Sequence, residues 1–444
     1  MKEEIIKRLS RKDLPQDSGV LVTTHVPFII SGKYCDYKEG EMVSTTIEEL
    51  HVTTLANKYK EDMVRIYLND HCYDYQLSTL EVTEEHRGTL KAIVFGIFNE
   101  LLSRKILKVF EGLVINVDTN LNMMNGFQLN YIANILLSVS HLYNLKLTPS
   151  VLADLTQKVY IMYYGKTVSY LQCLTLFNDG INRYEMAQDN IKLEHLEKTD
   201  ETFRYLMFEN GNRMRVNDYN NFYSSMYQLF KKVKGILGIG YLSEIRYNRD
   251  FAQLFSPLSH LLEPEKLVLT HYIEENKRAK IIFSVYKHQN NPRQLIDAVN
   301  MSTTELGAYC GFNNLNKWLE TTVYNGALGF PCCVTHLNDE ITNMFVFTTT
   351  NEFYEPLVRQ LNKYHNYFFY EVHPAAEASE ITMLETAKET KAREKKEAKD
   401  KKEAEKAAEE QAKLDAIKAK EDAKAQKKAD KEAKKAAKKA KKNK

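Results

Sequence analysis

The sequence predicts an α/β (α+β) body of two lobes followed by a tail of another kind. Three observations lead there. Strand-like and helix-like apolar runs alternate as far as about residue 380, a polar and weakly periodic stretch interrupts them near 190–215, and the composition changes at Ile381. GVLVTTHVPFII (19–30) is β-branched and apolar enough for a buried strand, and 43–56 and 62–68 alternate like half-buried strands. TLKAIVFGIFNELLSRKILKV (89–109) has helical periodicity, and GLVINVD (112–118) reads as a strand. In 128–145, Leu129, Ile132, Ala133, Leu136, Val139 and Leu142 fall on one helical face. Strands and helices continue through 150–185. The polar stretch QDNIKLEHLEKTDETFRYLMFENGNRMR then sets the boundary between lobes at 1–205 and 206–380. The second lobe carries helices at 219–235, 265–287, 292–307 and 312–323, a strand at 344–349, a helix at 353–364 and a strand at 367–372.

The tail is Lys/Ala/Glu-rich. Of the chain's 61 basic and 59 acidic residues, the last 64 hold 23 and 14, which leaves 38 and 45 for positions 1–380. The body is therefore acidic by about 7 charges and the tail basic by about 9. Few large apolar residues means no core, so a solvated single helix competes with disorder in the tail. Its end, 424–444, sets 11 lysines against Asp430 and Glu432, a charge that attracts a polyanionic or protein partner. Without aromatics it lacks the means to stack on bases.

No run of 18 or more apolar residues is present, so no transmembrane segment is expected, and the charged N-terminus lacks the apolar run of a signal peptide. Six scattered cysteines without a CxxC pair read as reduced, mostly buried thiols, Cys332 and Cys333 among them. The twelve histidines form no cluster at ligand spacing, so no metal site is expected. Together these predict a cytoplasmic protein. GILGIG (235–240) follows a helical run rather than a strand and lacks dinucleotide-loop spacing, so its glycines read as turn formers.

HVPFIISGKYCDYKEGEMV (25–43) resembles the N-terminal signature of galactokinases, GRVNLIGEHTDYNGGxV, in the GHMP small-molecule kinase superfamily, with Gly32, Asp36, Tyr37 and Gly40 in register. Later segments follow in the family's order. TNLNMMNGFQLNYIANILLSV (119–139) stands where the family has its phosphate loop, PxGxGLSSSA, and GKTVSYLQC (165–173) where it has GxxxGIMDQ. THYIEENKRAK (270–280) resembles RHVxxEnxRv through His271, Glu275, Asn276 and Arg278. GALGFPCCVTHL (326–337) resembles the C-terminal loop GAGFGGCxxxL, including Gly326 and Gly329, and Tyr364 with HPAAEA (373–378) resembles the closing Y…PAxGA.

The resemblance implies two α/β lobes with a cleft for a sugar and a nucleotide, and transfer of the ATP γ-phosphoryl group to a sugar hydroxyl with Mg²⁺. Such transfer depends on positioning and charge stabilisation. The sequence departs from the family where that chemistry sits. Pro27 and Gln172 occupy the positions of its arginine and catalytic aspartate, and an amide cannot take a proton. Lys33 and Tyr34 replace the sugar-contacting Glu and His. Phe127, Gln128, Leu129 and Asn130 replace the LSSS run, and Pro331 and Cys332 replace two glycines of the C-terminal loop. The residual candidates are Asp36, Tyr37 and Tyr223 for a sugar, and Asn122, Gly126, Gln128 and Asn130 for a nucleotide. Bland readings compete: Tyr223 as packing, Asp118 as a polar strand cap, and His271, Glu275 and Asn276 as an interlobe polar network. The leading expectation is a catalytically degenerate galactokinase-like protein reused for binding or structure. The alternatives are an active ATP- and Mg²⁺-dependent sugar kinase, and a nucleic-acid- or ribosome-associated protein acting through its tail.

Overall fold

The computed structural model describes residues 2–9, 19–33, 39–59, 61–68, 71–76, 81–108, 112–121, 127–187, 190–197, 202–209, 216–247, 250–309, 331–337, 344–364 and 369–384, and beyond these only Lys395, Lys406 and Gln411. The chain divides after Leu384 into a unit of residues 1–384 and a second of 385–444. In the second unit the three described residues are helical and exposed.

The strands of the first unit are β1 (Gly19–Ser31), β2 (Glu41–Tyr59), β3 (Met63–Leu68), β4 (His71–Gln76), β5 (Gly112–Thr119), β6 (Ile181–Ala187), β7 (Asn190–Leu196), β8 (Phe203–Glu209), β9 (Cys332–His336), β10 (Met344–Thr350), β11 (Phe369–Val372) and β12 (Ser379–Met383). The helices are α1 (Lys2–Leu9), α2 (Leu90–Ser103), α3 (Phe127–Leu142), α4 (Pro149–Lys158), α5 (Tyr170–Thr175), α6 (Val216–Leu237), α7 (Phe251–Phe255), α8 (Glu263–His288), α9 (Pro292–Tyr309) and α10 (Asn351–Tyr364).

β2 organises the larger sheet because it is long enough to serve three neighbours. Most of its length pairs antiparallel with β1, Val52–Tyr59 pairs with β5 and Glu41–Ser44 with β6. The order is β12-β1-β2-β5-β3-β4, with β7 added beyond β6. Only β3 and β5 run parallel among the described pairs, as a crossover through α2 requires. The smaller sheet has the order β11-β8-β10-β9. Phe208 stacks there against Phe345 and Phe347 with ring centroids 5.4 Å apart in both pairs.

α3 departs from the one-faced helix expected from its periodicity. Every residue from Phe127 to Ser140 is buried. Its polar residues make this tolerable, because Asn130, Asn134 and Ser138, spaced four apart, lie on one stripe against the sheet. Asn134 donates to the carbonyls of Val52 (2.6 Å) and Val22 (3.1 Å), and Ser138 bonds Thr54 (3.0 Å). Buried amides without such partners would cost about 1–3 kcal/mol each.

The stretch 190–215, read as a polar boundary, contains two strands. β7 closes the larger sheet's edge and β8 sits inside the smaller sheet. β7 looks polar because it alternates exposed and half-buried residues. Ile381, Thr382 and Met383, counted with the tail, pair with Val22, Leu21 and Val20 in β12. The helix expected at 312–323 lies outside the described residues. α8 joins two hydrophobic cores. Its first half, with Leu269, Tyr272 and Ile273, belongs to the core around Phe208 and Phe347, and its second half, from Ala279 to Tyr286, to the larger core around Phe28, Ile115 and Leu129. Among the described residues no helix is long and apolar enough to cross a membrane.

Candidate functional site

The segment with the strongest motif, 25–43, is the end of β1, its connection to β2 and the start of β2. Gly32 has φ +89°, and a Cβ there would lie 2.1 Å from the Glu41 carbonyl oxygen, so no other residue fits without backbone movement. Asp36 and Tyr37, with Tyr34, lie outside the described residues. Lys33 turns inward and is 2 % exposed. Its ammonium donates to the Ile29 carbonyl and to Thr335 Oγ1 (2.6 Å) on β9.

Pro27 is buried in β1 opposite Thr46. A proline inside a sheet must sit where no donor is needed. On that side of β1, His25 N–H donates to Ala378 O and Ile29 N–H to Leu337 O. Pro27 falls between these two bonds, past the paired stretch of β12.

Gln172 lies in α5, whose N-cap Ser169 accepts from the Gln172 N–H (3.1 Å). One turn later Thr175 bonds Ser44 Oγ (2.7 Å), which fastens the helix to β2 beside β1. The Gln172 side chain is fully buried, and among the described residues neither its Nε2 nor its Oε1 has a hydrogen-bond partner. The positions of Pro27 and Gln172 thus come from elements packed on one another, α5 with β1 and β2.

The phosphate-loop segment runs from the end of β5 into α3. Asn122 and Gly126 lie outside the described residues. Gln128 is buried in the first turn of α3, and Asn130 directs its amide to Thr24 of β1 (3.4 Å to both the carbonyl and Oγ1). Asp118 is half-buried near the end of β5, opposite Thr53. Tyr223 is on α6, and its side chain lies outside the described part of the structure, as do Gly326 and Gly329. From the C-terminal motif, Cys332–His336 is a fully buried strand rather than loop, because CCVTH is compact and apolar enough to fill the edge of the smaller sheet. Burial pushes the Cys332 thiol up to about 12 and raises Cys333 as well, as expected of inert packed thiols.

The closing segment 373–378 lies along β1 and β2: Ala375 N–H donates to Thr46 O, Glu48 N–H to His373 O, and His25 N–H to Ala378 O. Near it a crevice of about 360 Å³ opens between the two sheets, lined by Glu49, Asn120, Leu121, Glu209, Tyr370 and Glu371 among others. Leu121 belongs to the phosphate-loop segment. Three carboxylates line the crevice, and two of them have basic partners: His373 holds Glu49 at 2.6 Å, and Arg204 donates to Glu371 (2.6 Å).

His271, Glu275 and Asn276 form a polar network on α8, which sequence reasoning anticipated. Arg278 donates to Glu275 Oε2 (2.8 Å) and to Glu305, and His271 Nδ1 lies 3.3 Å from Glu305 Oε2. Glu275 is completely buried, which alone would raise its pKa. Arg278, His271 and the Gly32 N–H outweigh this and hold its carboxyl below the ordinary value.

No protein-family model and no curated protein sequence matches the chain. Solved structures do. Lactococcus lactis galactokinase complexed with galactose is similar over 85 % of this chain and 98 % of its own, with a TM-score of 0.67 at 15 % identity. The fold is that of the GHMP small-molecule kinases. Methanococcus jannaschii mevalonate kinase (TM-score 0.53, 13 % identity, 80 % of this chain, 98 % of its own) shares it. So does a D-glycero-D-manno-heptose 1-phosphate kinase from Bacteroides thetaiotaomicron (TM-score 0.55, 11 % identity, 82 % and 98 %). At such identities the likeness establishes the GHMP-kinase fold.

Proposed function

We propose that this chain is a galactokinase-like protein that has lost phosphoryl transfer and keeps its body, residues 1–384, for binding. One observation carries the reading. The position matching the family's catalytic aspartate is Gln172, a buried amide whose two polar atoms have no partner among the described residues. A general base must reach the proton it takes, and this group neither accepts a proton nor meets solvent. Lys33, at a sugar-contacting position of the family, supports the reading because its ammonium is spent on Ile29 and Thr335. Asn130, at a phosphate-loop position of the family, supports the reading too, because its amide is engaged by Thr24. Asp36, Tyr37 and Tyr223 are the sugar contacts on this reading, and Asn122, Gly126, Gln128 and Asn130 the remnants of a nucleotide site. The lysine-rich end 424–444 supplies attraction for a polyanionic partner, read as a salt-dependent retention that its removal abolishes.

The test is a coupled assay of ATP consumption with galactose and Mg²⁺ on the full chain, beside thermal shifts with ATP–Mg²⁺, ADP and galactose. The expected result is no turnover. A bound ligand at 100 times its Kd would add about 2.7 kcal/mol of stability. Likeness to a galactokinase that holds galactose favours a second reading, an active sugar kinase. Turnover abolished by Asp36→Ala would establish that reading and overturn ours.

A further inference from the structure

The connection between β1 and β2 links two strands of the larger core, yet both its roots are tied to the middle of α8, next to the part of that helix in the smaller core. On the incoming side the Gly32 N–H donates to Glu275 Oε1 (2.7 Å). On the outgoing side Tyr272 OH donates to the Glu39 carbonyl (2.7 Å), and the Glu41 N–H donates to Asn276 Oδ1 (2.7 Å). Tyr272, Glu275 and Asn276 are three and four residues apart, so a single face of α8 reaches both roots. The Glu39 side chain completes the arrangement. It is 8 % exposed and accepts from Lys234 Nζ (2.9 Å) near the end of α6, from the Leu242 N–H, and from the Ser243 N–H (3.3 Å). Leu242 is in the smaller core, while Met42 and Val43, just beyond Glu39, are in the larger.

We propose that Glu39 is a lock that fastens the two cores together through the chain's own carboxylate, with no ligand required. A carboxylate that takes an ammonium and two backbone N–H groups at once makes charge-assisted bonds, each stronger than a neutral one. It joins the start of β2 to the corner between α6 and α7 at the point where the α8 face already holds Gly32 and Glu41. The groups form one cooperative unit: releasing Glu39 frees the Tyr272 contact to its carbonyl and, through the short run to Glu41, the bond to Asn276. The lock explains how a sheet connection stays seated on helices more than 190 residues away in sequence, Lys234 being 195 residues from Glu39.

Amide hydrogen exchange on the full chain tests this, comparing the wild type with Glu39→Ala and with Lys234→Met. The second variant removes only the ammonium and guards against a Glu39 variant that fails to fold. Exchange at Gly32, Glu41, Leu242 and Ser243 should accelerate together, by about tenfold or more in Glu39→Ala for loss of a charged acceptor and by less in Lys234→Met. Amides of Ile115 in the larger core and Phe347 in the smaller should keep their rates. Acceleration confined to Leu242 and Ser243 would reduce Glu39 to a local cap and overturn the lock. Equal acceleration everywhere, or none, would overturn it too.

Discussion

Replacing Gln172 by methionine should stabilise the protein. The Gln172 side chain is fully buried, and among the described residues its carboxamide leaves one donor group and one acceptor without partners. A buried unsatisfied polar group costs about 1–3 kcal/mol, and methionine fills nearly the same space without one. For a unit of 384 residues, unfolding entropy at about 2.1 cal/mol/K per residue is about 0.8 kcal/mol/K. The expected gain is therefore about 1–3 kcal/mol, or a rise of about 1–4 °C in Tm, read by urea and thermal unfolding of the full chain. Gln172→Asp makes the opposite case. A carboxylate in that place is desolvated, so its folded pKa lies above the unfolded value of about 3.9. The substitution then destabilises at neutral pH, and the deficit disappears as pH falls below that value. A loss of more than about 1 kcal/mol in Gln172→Met would mean that the amide has a partner, a water or a ligand, and the argument from a sealed site would fail.

Gly32→Ala should destabilise by at least about 2 kcal/mol in denaturant titrations, since a left-handed φ and a clash with the Glu41 carbonyl act together. A chain ending at Leu384 should unfold at the full-length midpoint, whereas one ending at Ala378 loses β12, bares the edge of β1 and should unfold earlier and aggregate, as light scattering would record. Stability should also decline as pH falls below about 6.5. Burial foremost, then the neighbouring His51, lowers the pKa of His25, and burial lowers that of His336 much further, with Lys33 adding to it. The unfolded chain takes up protons there that the folded one refuses, so their contribution is complete above the unfolded pKa and drains away below it. Urea midpoints between pH 5 and 8 check the slope, and His25→Gln should flatten part of it.

Much of the architecture is legible in the sequence wherever one side-chain pattern repeats long enough. β1, β2, β5 and α8 announce themselves through β-branched runs or sustained helical spacing, the three strands mostly inside the larger core and α8 shared between the two. β7 and β12 escape notice for one reason: both are edge strands, with little apolar content to alternate. Side-chain destinations are less legible still. Nothing local says that Lys33 reaches Thr335, 302 residues on. Asn130 is different, because its signal was present. Asn130, Asn134 and Ser138 recur at intervals of four, the mark of a polar stripe on a helix that buries both faces, and Thr24, Val22 and Thr54 receive it.

On the proposed reading the lost chemistry could not return by single reversions, because positions that match the family's site now carry structural bonds. Lys33→Glu would aim a carboxylate at the Ile29 carbonyl and leave three oxygens, with that of Thr335, crowded where an ammonium now satisfies two. An arginine at Pro27 would bring a guanidinium into a strand position buried opposite Thr46, with the Gln172 amide unable to neutralise it. Restoring aspartate at 172 first would bury an anion without its cation. Each step alone passes through a destabilised chain, and only the paired change at 27 and 172 offers charge compensation. A double variant more stable than the sum of its singles would show that these two positions still face each other. Strict additivity would mean that the packing of α5 on β1 keeps them apart.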